Sequence, residues 1–422
     1  MYVANTIFII LSILKVDTIR VGFRNLEEIA EAYSPTLKEI KYNINASYTN
    51  LTGNILNFVG GAEFYLTKSE VTYSNPPIPS STYNPSYSST LKLASNLFST
   101  NNLFKTISGY YESRTSIYNY EDIKRQFLIN LKTQYLNTIK LKKLMEAYEK
   151  AFERNKIYYE LVSERYKLGM VSKIDYLKAE IELKNAEINL LNASNNYKKS
   201  KEILLSYLGL LHKDQMVIIE DYDAPESVYI PKDEQEFLNL ARKFNPSLKN
   251  ARTLLNSARS GLIYSITSIT PQISFEKYWN YTGREKPQSL NSFNEKEMWN
   301  VQVYVNFLNF PISILNRAQL ERAYAYRYKK VLFETLAKIE NSYEDLKYNY
   351  QTLELAKLRY EQAQSAYELA KEQYKSGLIS IIQLMDTEAS LLQSEVGLIE
   401  AKYNLVISKE NLNYLIGTEV IK

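Results

Sequence analysis

Ser172 and Asp175, and 208 residues later Ser380 and Gln383, stand three apart, each pair just after a glycine, Gly169 or Gly377. A serine three residues ahead of an acidic or amide side chain is the signature of a capping box. The hydroxyl accepts from a backbone N–H of the first helical turn and the longer side chain reaches back to the cap. A glycine shortly before such a box ends the preceding helix in the left-handed conformation that a Cβ disfavours. The two clusters therefore predict two helix–turn–helix hairpins with turns at 169–172 and 377–380. Asp386 lies beyond the first turn of its helix, so capping does not explain it, and its counterpart in the first cluster is Lys178.

The remaining chemical inventory is thin. Cysteine is absent and His212 is the only histidine, which excludes disulfides, zinc–thiolate sites, cysteine nucleophiles and a transition-metal site built on imidazoles. The 47 acidic residues fall at helical spacing beside Lys and Arg, as on a solvated coiled-coil face. No nucleophile, base and orienter stand out together. No catalytic residue, cofactor-binding residue or metal ligand is assigned, and an enzyme is not expected. The net charge of +4 is spread along the chain without a basic stripe, which argues against nucleic acid as a partner.

The two turns belong to a longer repetition. Glu164-Arg-Tyr-Lys-Leu-Gly169-Met-Val-Ser172-Lys-Ile174 reappears as Glu372-Gln-Tyr-Lys-Ser-Gly377-Leu-Ile-Ser380-Ile-Ile382. The match continues through Glu180 and Glu388, Leu183 and Leu391, Ala193 and Ala401, and closes at Gly209 and Gly417. A period near 200 residues is too long for a solenoid, whose units run about 20–50 residues; it marks a duplicated half-molecule. The expected organisation is a leader over 1–20, a first repeat over 21–211, an irregular linker over 212–231, a second repeat over 232–418 and a tail over 419–422. The leader reading comes from the apolar run 7–14, which has the length of a signal-peptide core but no preceding Lys or Arg.

Each half reads as helix, strand, loop, strand, long helix, glycine turn, long helix. Helical period runs over about 25–57, from about 113 to 168, and over 173–208; in the second half it runs over about 313–376 and 381–416. Strands are expected over 62–74 and 89–98, from Pro271, and from Trp299. In the last of these Trp299, Val301, Val303, Val305 and Phe307 alternate with polar residues. About sixty helical residues reach about 90 Å, more than a compact globular domain needs. A hairpin at the far end of such a rod has no soluble core for its apolar face. Strands of about ten residues can cross a bilayer when tilted, and Trp279 and Trp299, near strand ends, are placed as membrane-interface aromatics. Four strands cannot close a barrel, and hydrocarbon offers no partner for an open edge. Several chains must pool them, twelve strands from three chains or eight from two.

In this order, in duplicate, these features resemble the outer-membrane efflux proteins of the TolC type. The resemblance rests on the two Tyr-Lys-x-Gly turns with their following serines, the long helices after them, and the ends at Leu208-Gly209 and Ile416-Gly417. Asn245-Pro-Ser-Leu-Lys-Asn-Ala-Arg252 followed by Pro271-Gln-Ile-Ser adds to it. It covers about residues 25–418. One departure is Phe310-Pro311-Ile-Ser-Ile-Leu-Asn316-Arg317, which lacks the glycines usual at the turn into the following helix. The resemblance implies a mainly α fold with a membrane β-barrel. Long antiparallel helical hairpins form an α-barrel in the periplasm, and four strands per chain contribute to a 12-stranded trimeric β-barrel in the outer membrane.

It also implies a passive exit duct of a tripartite efflux or type I secretion system. The partners would be two sister chains, outer-membrane lipid, a periplasmic adaptor and an inner-membrane RND, ABC or MFS transporter; the chain has no phosphate-binding loop with which to drive transport. Carried over residue by residue, Tyr374 is a constriction tyrosine at the periplasmic aperture, Asp386 one position of a carboxylate ring, Gln383 the other, and Asp175 part of the closing network. A three-fold axis would repeat Asp386 into a cation-attracting collar. The alternatives are a soluble helical scaffold or coiled-coil protein, and a periplasmic adaptor, against which the duplication argues.

Overall fold

The computed structural model describes residues 19–59, 61–69, 86–98, 100–211, 216–225, 234–270, 272–283, 285–303 and 309–418. The apolar run 7–14, His212, Pro271, Val305, Phe307 and the tail 419–422 lie outside the described residues.

In chain order the elements are β1 (Ile19–Val21), α1 (Leu26–Tyr33), α2 (Pro35–Val59), β2 (Gly61–Ser69), β3 (Ser86–Phe98), α3 (Thr100–Lys167), α4 (Lys173–Leu208) and β4 (Val217–Ile219). The second half supplies α5 (Glu234–Phe244), α6 (Pro246–Thr267), β5 (Gln272–Gly283), β6 (Asn294–Gln302), α7 (Asn309–Lys375) and α8 (Ile381–Ile416). The bounds of α4 and α8 are those expected. The helix expected over 25–57 is instead two, because Pro35 holds Ser34 extended (ψ 123°) and α2 restarts with proline in its first turn. The same break recurs at Asn245-Pro246. α3 begins at Thr100, well before the expected 113. β6 begins at Asn294 rather than Trp299, because its ladder partners on β5 run back from Gln272 to Asn280.

The chain divides into two compact units that cut across the sequence repeats, each unit drawing on both halves. One comprises 42–120 and 247–332. Its four-stranded antiparallel sheet has the order β2-β3-β5-β6. The register sets Leu91 against Trp279, Lys92 against Tyr278 and Phe275 against Trp299. Alternation along the strands then sorts the two faces. Phe64, Leu91, Leu93, Ile273, Phe275, Trp279, Trp299 and Val301 share one face. Lys92, Glu276, Tyr278 and Asn300 share the other, where Lys92 pairs Glu276 at 2.9 Å and Tyr278 also donates to Glu276.

The other unit comprises 1–41, 121–246 and 333–422. Phe237 and Ala241 of α5 pack with Ile339, Tyr343 and Leu346 of α7 and Leu405, Leu412 and Ile416 of α8 in one buried cluster. β1 and β4 pair in parallel, Ile19 with Val217 and Val21 with Ile219, so β1 begins two residues inside the stretch assigned to the leader. The irregular segment after β4 is held by one tyrosine from each hairpin. Tyr135 on α3 donates to the Glu220 carbonyl and Tyr403 on α8 to the Tyr222 carbonyl, both at 2.8 Å. Burial is the main cause that pushes the Tyr135 phenol up to about 12 and raises that of Tyr403 as well.

Lys142 and Lys143 reach Asp221 at 2.6 and 3.2 Å. Partial burial pushes the Asp221 carboxyl up, but the two lysine hydrogen bonds outweigh it and hold the group below its usual 3.8. A depressed carboxylate contributes stability that is fully present above its unfolded value and lost as pH falls through the folded one. This tie therefore persists through neutral and mildly acidic pH and releases only below 3.8. An acid titration followed by Tyr135 and Tyr403 fluorescence should show no loosening above that value.

Among the described residues four glycines take positive φ, and they differ in surroundings. Gly169 and Gly377, both at +72°, would carry a Cβ into open space. A Cβ on Gly209 would meet the Tyr33 carbonyl oxygen at 2.6 Å, and one on Gly417 the Phe244 carbonyl carbon at 2.7 Å. Gly169→Ala therefore costs only the left-handed backbone, about 1 kcal/mol. Gly209→Ala adds an unrelieved backbone clash and should cost about 3 kcal/mol or more. Paired thermal melts of the two variants check the ordering.

Candidate functional site

The hairpin turns have the predicted caps. Gly169 N–H donates to Tyr166 O and Met170 N–H to Arg165 O; Gly377 and Leu378 repeat the pattern on Tyr374 and Gln373, closing both helices with the two-bond glycine cap. Ser380 and Gln383 make the full reciprocal box: Gln383 N–H donates to Ser380 Oγ at 3.2 Å and Ser380 N–H to Gln383 Oε1 at 2.9 Å. In the first turn Asp175 N–H donates to Ser172 Oγ at 3.1 Å, but the Asp175 carboxylate accepts from the serine hydroxyl rather than from the cap N–H. Aspartate is one methylene shorter than glutamine and does not reach back. Ser380→Ala removes both halves of a box and should cost about 1 kcal/mol, read as a lowered melting midpoint.

Around these turns the tips of α3, α4, α7 and α8 pack into one cluster containing Val162, Ala179, Tyr367, Ala370, Ile381, Leu384 and Met385. Tyr374 lies at its margin, its ring 5.3 Å from the Arg165 guanidinium and its phenol oxygen buried without a hydrogen-bond partner. Burial pushes that phenol up, with Arg165 opposing. Gln383 and Asp386 share an exposed face of α8, opposite Leu384, Met385 and Glu388. The structure thus brings Tyr374 into the tip cluster, points Gln383 and Asp386 away from it, and leaves Asp175 on its own cap.

A further set joins the hairpins a few turns along. Glu388 on α8 is buried, with 3% of its side chain exposed. Its carboxylate takes Arg154 of α3 at 2.8 Å and the Asn155 amide at 3.3 Å. Sequence reading paired Glu388 with Glu180 as a repeated residue but had no signal for its partners. The positions 208 residues after Arg154 and Asn155 hold Gln362 and Ala363, so the symmetry-related position Glu180 has no equivalent cation there and the knot between the halves is not duplicated.

Two helices of this unit carry apolar residues on opposed faces. On α4 the inward stripe is Ala179, Ala186, Ala193, Leu204 and Leu208, and Ile174, Leu177, Ile181, Ile188 and Leu191 stand exposed on the opposite side. On α7 the buried stripe includes Ile339, Leu346 and Leu353, while Phe333, Tyr348, Leu355, Leu358 and Leu369 are exposed opposite it. A soluble surface helix has one apolar stripe. Two opposed stripes describe a helix packed on both sides. Polar ties join the hairpins between α3 and α8 (Lys132 to Glu410 at 3.0 Å, and the Arg154–Glu388 pair) and between α3 and α7, where the Tyr158 and Tyr367 hydroxyls meet at 2.6 Å.

In the strand unit Trp279 and Trp299 share the apolar face but sit at different levels. Trp299 packs against Phe275 toward the helix-proximal end, with ring centroids 5.0 Å apart and planes tilted by 56°. Trp279 lies nearer the β5–β6 loop, its indole N–H donating to Glu295 at 3.2 Å. Trp299 is interior to β6 rather than at its end. Among the described residues no group of acidic residues and histidines could hold a metal ion, and no helix is long and apolar enough to cross a membrane.

A comparison with curated proteins finds no match. Among solved structures the fold is similar to the Campylobacter jejuni CmeC outer membrane channel, with TM-score 0.74 and 15% identity over 94% of this chain and 86% of that one. It is likewise similar to the Vibrio cholerae outer membrane protein VceC (TM-score 0.74, 14% identity, 94% and 96% covered). The open state of the Neisseria gonorrhoeae MtrE outer membrane channel gives TM-score 0.77 at 13% identity, with 94% and 89% covered. At such identities the likeness concerns the fold. The family description "outer membrane efflux protein" matches residues 58–210 and 237–418, most of the chain. The duplicated helical hairpins and the four-stranded sheet with one apolar face thus have their counterpart in sequence, and the chain belongs to the outer membrane efflux protein family.

Proposed function

We propose that this protein is the passive outer-membrane duct of a tripartite efflux or type I secretion system, one third of a closed homotrimeric wall. The observation that carries the reading is a sheet of four strands, apolar on one face and polar on the other, whose outer members β2 and β6 have no further strand beside them among the described residues. The exposed stripes of α4 and α7 support the same closure. One edge comes from each hairpin and the edges differ, so the contact is heterologous and propagates around a ring. Eight pooled strands would make a barrel whose interior side chains nearly fill. Twelve, from three chains, leave room for a channel.

In this duct the polar face of the sheet lines the lumen and the helical hairpins extend into the periplasm. The exposed Leu168, Met170 and Leu378 at the two turns are apolar tips suited to a periplasmic adaptor. Energy comes from the inner-membrane RND, ABC or MFS transporter beyond that adaptor. Asp386, repeated by the three-fold axis on the exposed face of α8, forms a negative collar, with Gln383 one turn nearer the tip; Tyr374 and Asp175 hold the hairpins around it.

Reconstitution of outer-membrane extracts in planar bilayers tests both levels. The parent chain should form discrete channels with cation preference, and Asp386→Ala should reduce both that preference and block by divalent cations. Unaltered selectivity would remove Asp386 from the lumen, whereas absence of any channel would remove the duct.

A further inference from the structure

The proposal that the strands cross the outer membrane leaves open which part of the wall faces hydrocarbon, and the distribution of charge answers it. At every junction between helix and strand the sequence is free of charged residues: 42–62 across α2 and β2, 93–104 across β3 and α3, 260–275 across α6 and β5, and 298–316 across β6 and α7. None of these windows is centred on a strand. Each straddles the point where helix gives way to strand.

The upper edge of the windows is set within the sheet. The register puts Glu63, Lys92 and Lys296 on one rung, and Lys277 and Glu297 on the next. On the otherwise apolar face Lys277 pairs with Glu297 at 3.0 Å and also with Glu295, which accepts from Trp279. This ionic cluster lies on the side that would have to meet acyl chains if the whole strand were embedded. The lower edge lies on the helices, where the first charges are all basic: Lys105 on α3, Arg259 on α6 and Arg317 on α7.

Between those edges the exposed surface is uncharged, with large apolar side chains among Asn, Ser and Thr. Leu56 on α2, Leu103 on α3, Ile263 and Ile266 on α6, and Ile312 and Leu315 on α7 are all exposed, Leu315 by 66%. A seam between sister chains uses two edges of a protomer, whereas these residues occur on all four helix ends. On α6 and β5 about eight helical residues rise about 12 Å and about four tilted strand residues add about 10 Å. With the residues linking them, that matches the apolar band of about 25 Å on outer-membrane barrels.

We infer that the hydrocarbon of the outer membrane covers the helix-proximal half of the strands together with the adjoining ends of α2, α3, α6 and α7. The inner leaflet thus contacts helix, and the outer halves of the strands stand above the acyl chains. Lys105 and Arg317 then meet the phosphates of the inner leaflet, beside Arg259, which pairs with Glu321 at 3.1 Å, and the Lys277–Glu295–Glu297 cluster with Trp279 marks the outer boundary. The inference rests on the reading that the sheet spans the membrane.

The two tryptophans and the absence of cysteine make the test direct. Single-tryptophan variants (Trp279→Phe and Trp299→Phe) and single cysteines at exposed positions (Ile266→Cys and Ile312→Cys, bearing a bimane label) are reconstituted in phosphatidylcholine vesicles. The vesicles carry nitroxide either at the headgroup or deep in the acyl chain. Expected is loss of most Trp299 emission with the deep nitroxide, loss of Trp279 emission with the headgroup nitroxide, and quenching of both bimane labels by lipid nitroxide. Labels at 266 and 312 that are quenched by an aqueous collisional reagent instead, or by neither reagent because a sister chain covers them, would overturn the inference while Trp299 quenching kept the spanning sheet. Absence of lipid quenching at Trp299 would overturn the spanning sheet, and with it the inference.

Discussion

Leu355→Glu should leave the protomer helical and folded and abolish its trimer. Leu355 is 68% exposed in the isolated chain, so the substitution breaks nothing within it. Leu355 lies on the exposed stripe of α7, which the proposed ring sets against the exposed stripe of Ile181, Ile188 and Leu191 on a neighbour's α4. Burying such side chains contributes about 1.5–3 kcal/mol each. A carboxylate in the same place forfeits that and adds a desolvation cost of several kcal/mol, repeated at each of three seams. Leu355→Ala, which only shortens the side chain, should weaken the trimer without abolishing it. Size-exclusion chromatography with light scattering in detergent distinguishes them, with circular dichroism to show retained helix. A trimer unaffected by Leu355→Glu would place the seam elsewhere.

The second large effect is on stability. Arg154→Ala leaves the Glu388 carboxylate buried with only the Asn155 amide at 3.3 Å. Removing one partner of a buried pair costs about 3–5 kcal/mol. Because Arg154 keeps 24% of its side chain exposed, the lower end is expected. Glu388→Gln keeps the shape and a hydrogen-bond acceptor and should cost less. Glu180→Ala, at the repeated position, should change stability by at most about 0.5 kcal/mol, since Gln362 and Ala363 replace the arginine and asparagine that would complete a second knot. Equal losses from Glu180→Ala and Arg154→Ala, in melts of the detergent-solubilised protein, would show that the knot is not what holds the hairpins together there.

What the sequence made legible was what local chemistry decides. α4 and α8 begin after a serine cap and end at a left-handed glycine, and both punctuation marks are written in the residues themselves, so their limits could be read directly. The duplication was equally visible because it is a relation between residues. The start of α3 was not, since Thr100-Asn-Asn and Ser108-Gly109 carry loop-like propensities that helix packing overrides. The start of β6 was missed for the opposite reason. Trp299 opens the apolar alternation, but backbone pairing with β5 continues back through charged residues to Asn294, and ladder hydrogen bonds do not depend on polarity.

The site divides in the same way. The caps at Ser172 and Ser380 are local and were legible, except that aspartate's reach limits the first to half a box. The Arg154–Glu388 pair joins residues 234 apart and only the fold brings them together. The second apolar stripes of α4 and α7 were present in the sequence all along. Recognising them as unsatisfied edges requires knowing which face is already covered.

In the proposed duct one chain supplies four staves and two helical hairpins to a wall that only identical chains can close. Native mass spectrometry of the protein released from detergent micelles tests it most directly. Three copies are expected, with no stable monomer or dimer at the concentrations at which the channel is active. A monomer that stays in solution without detergent would contradict it.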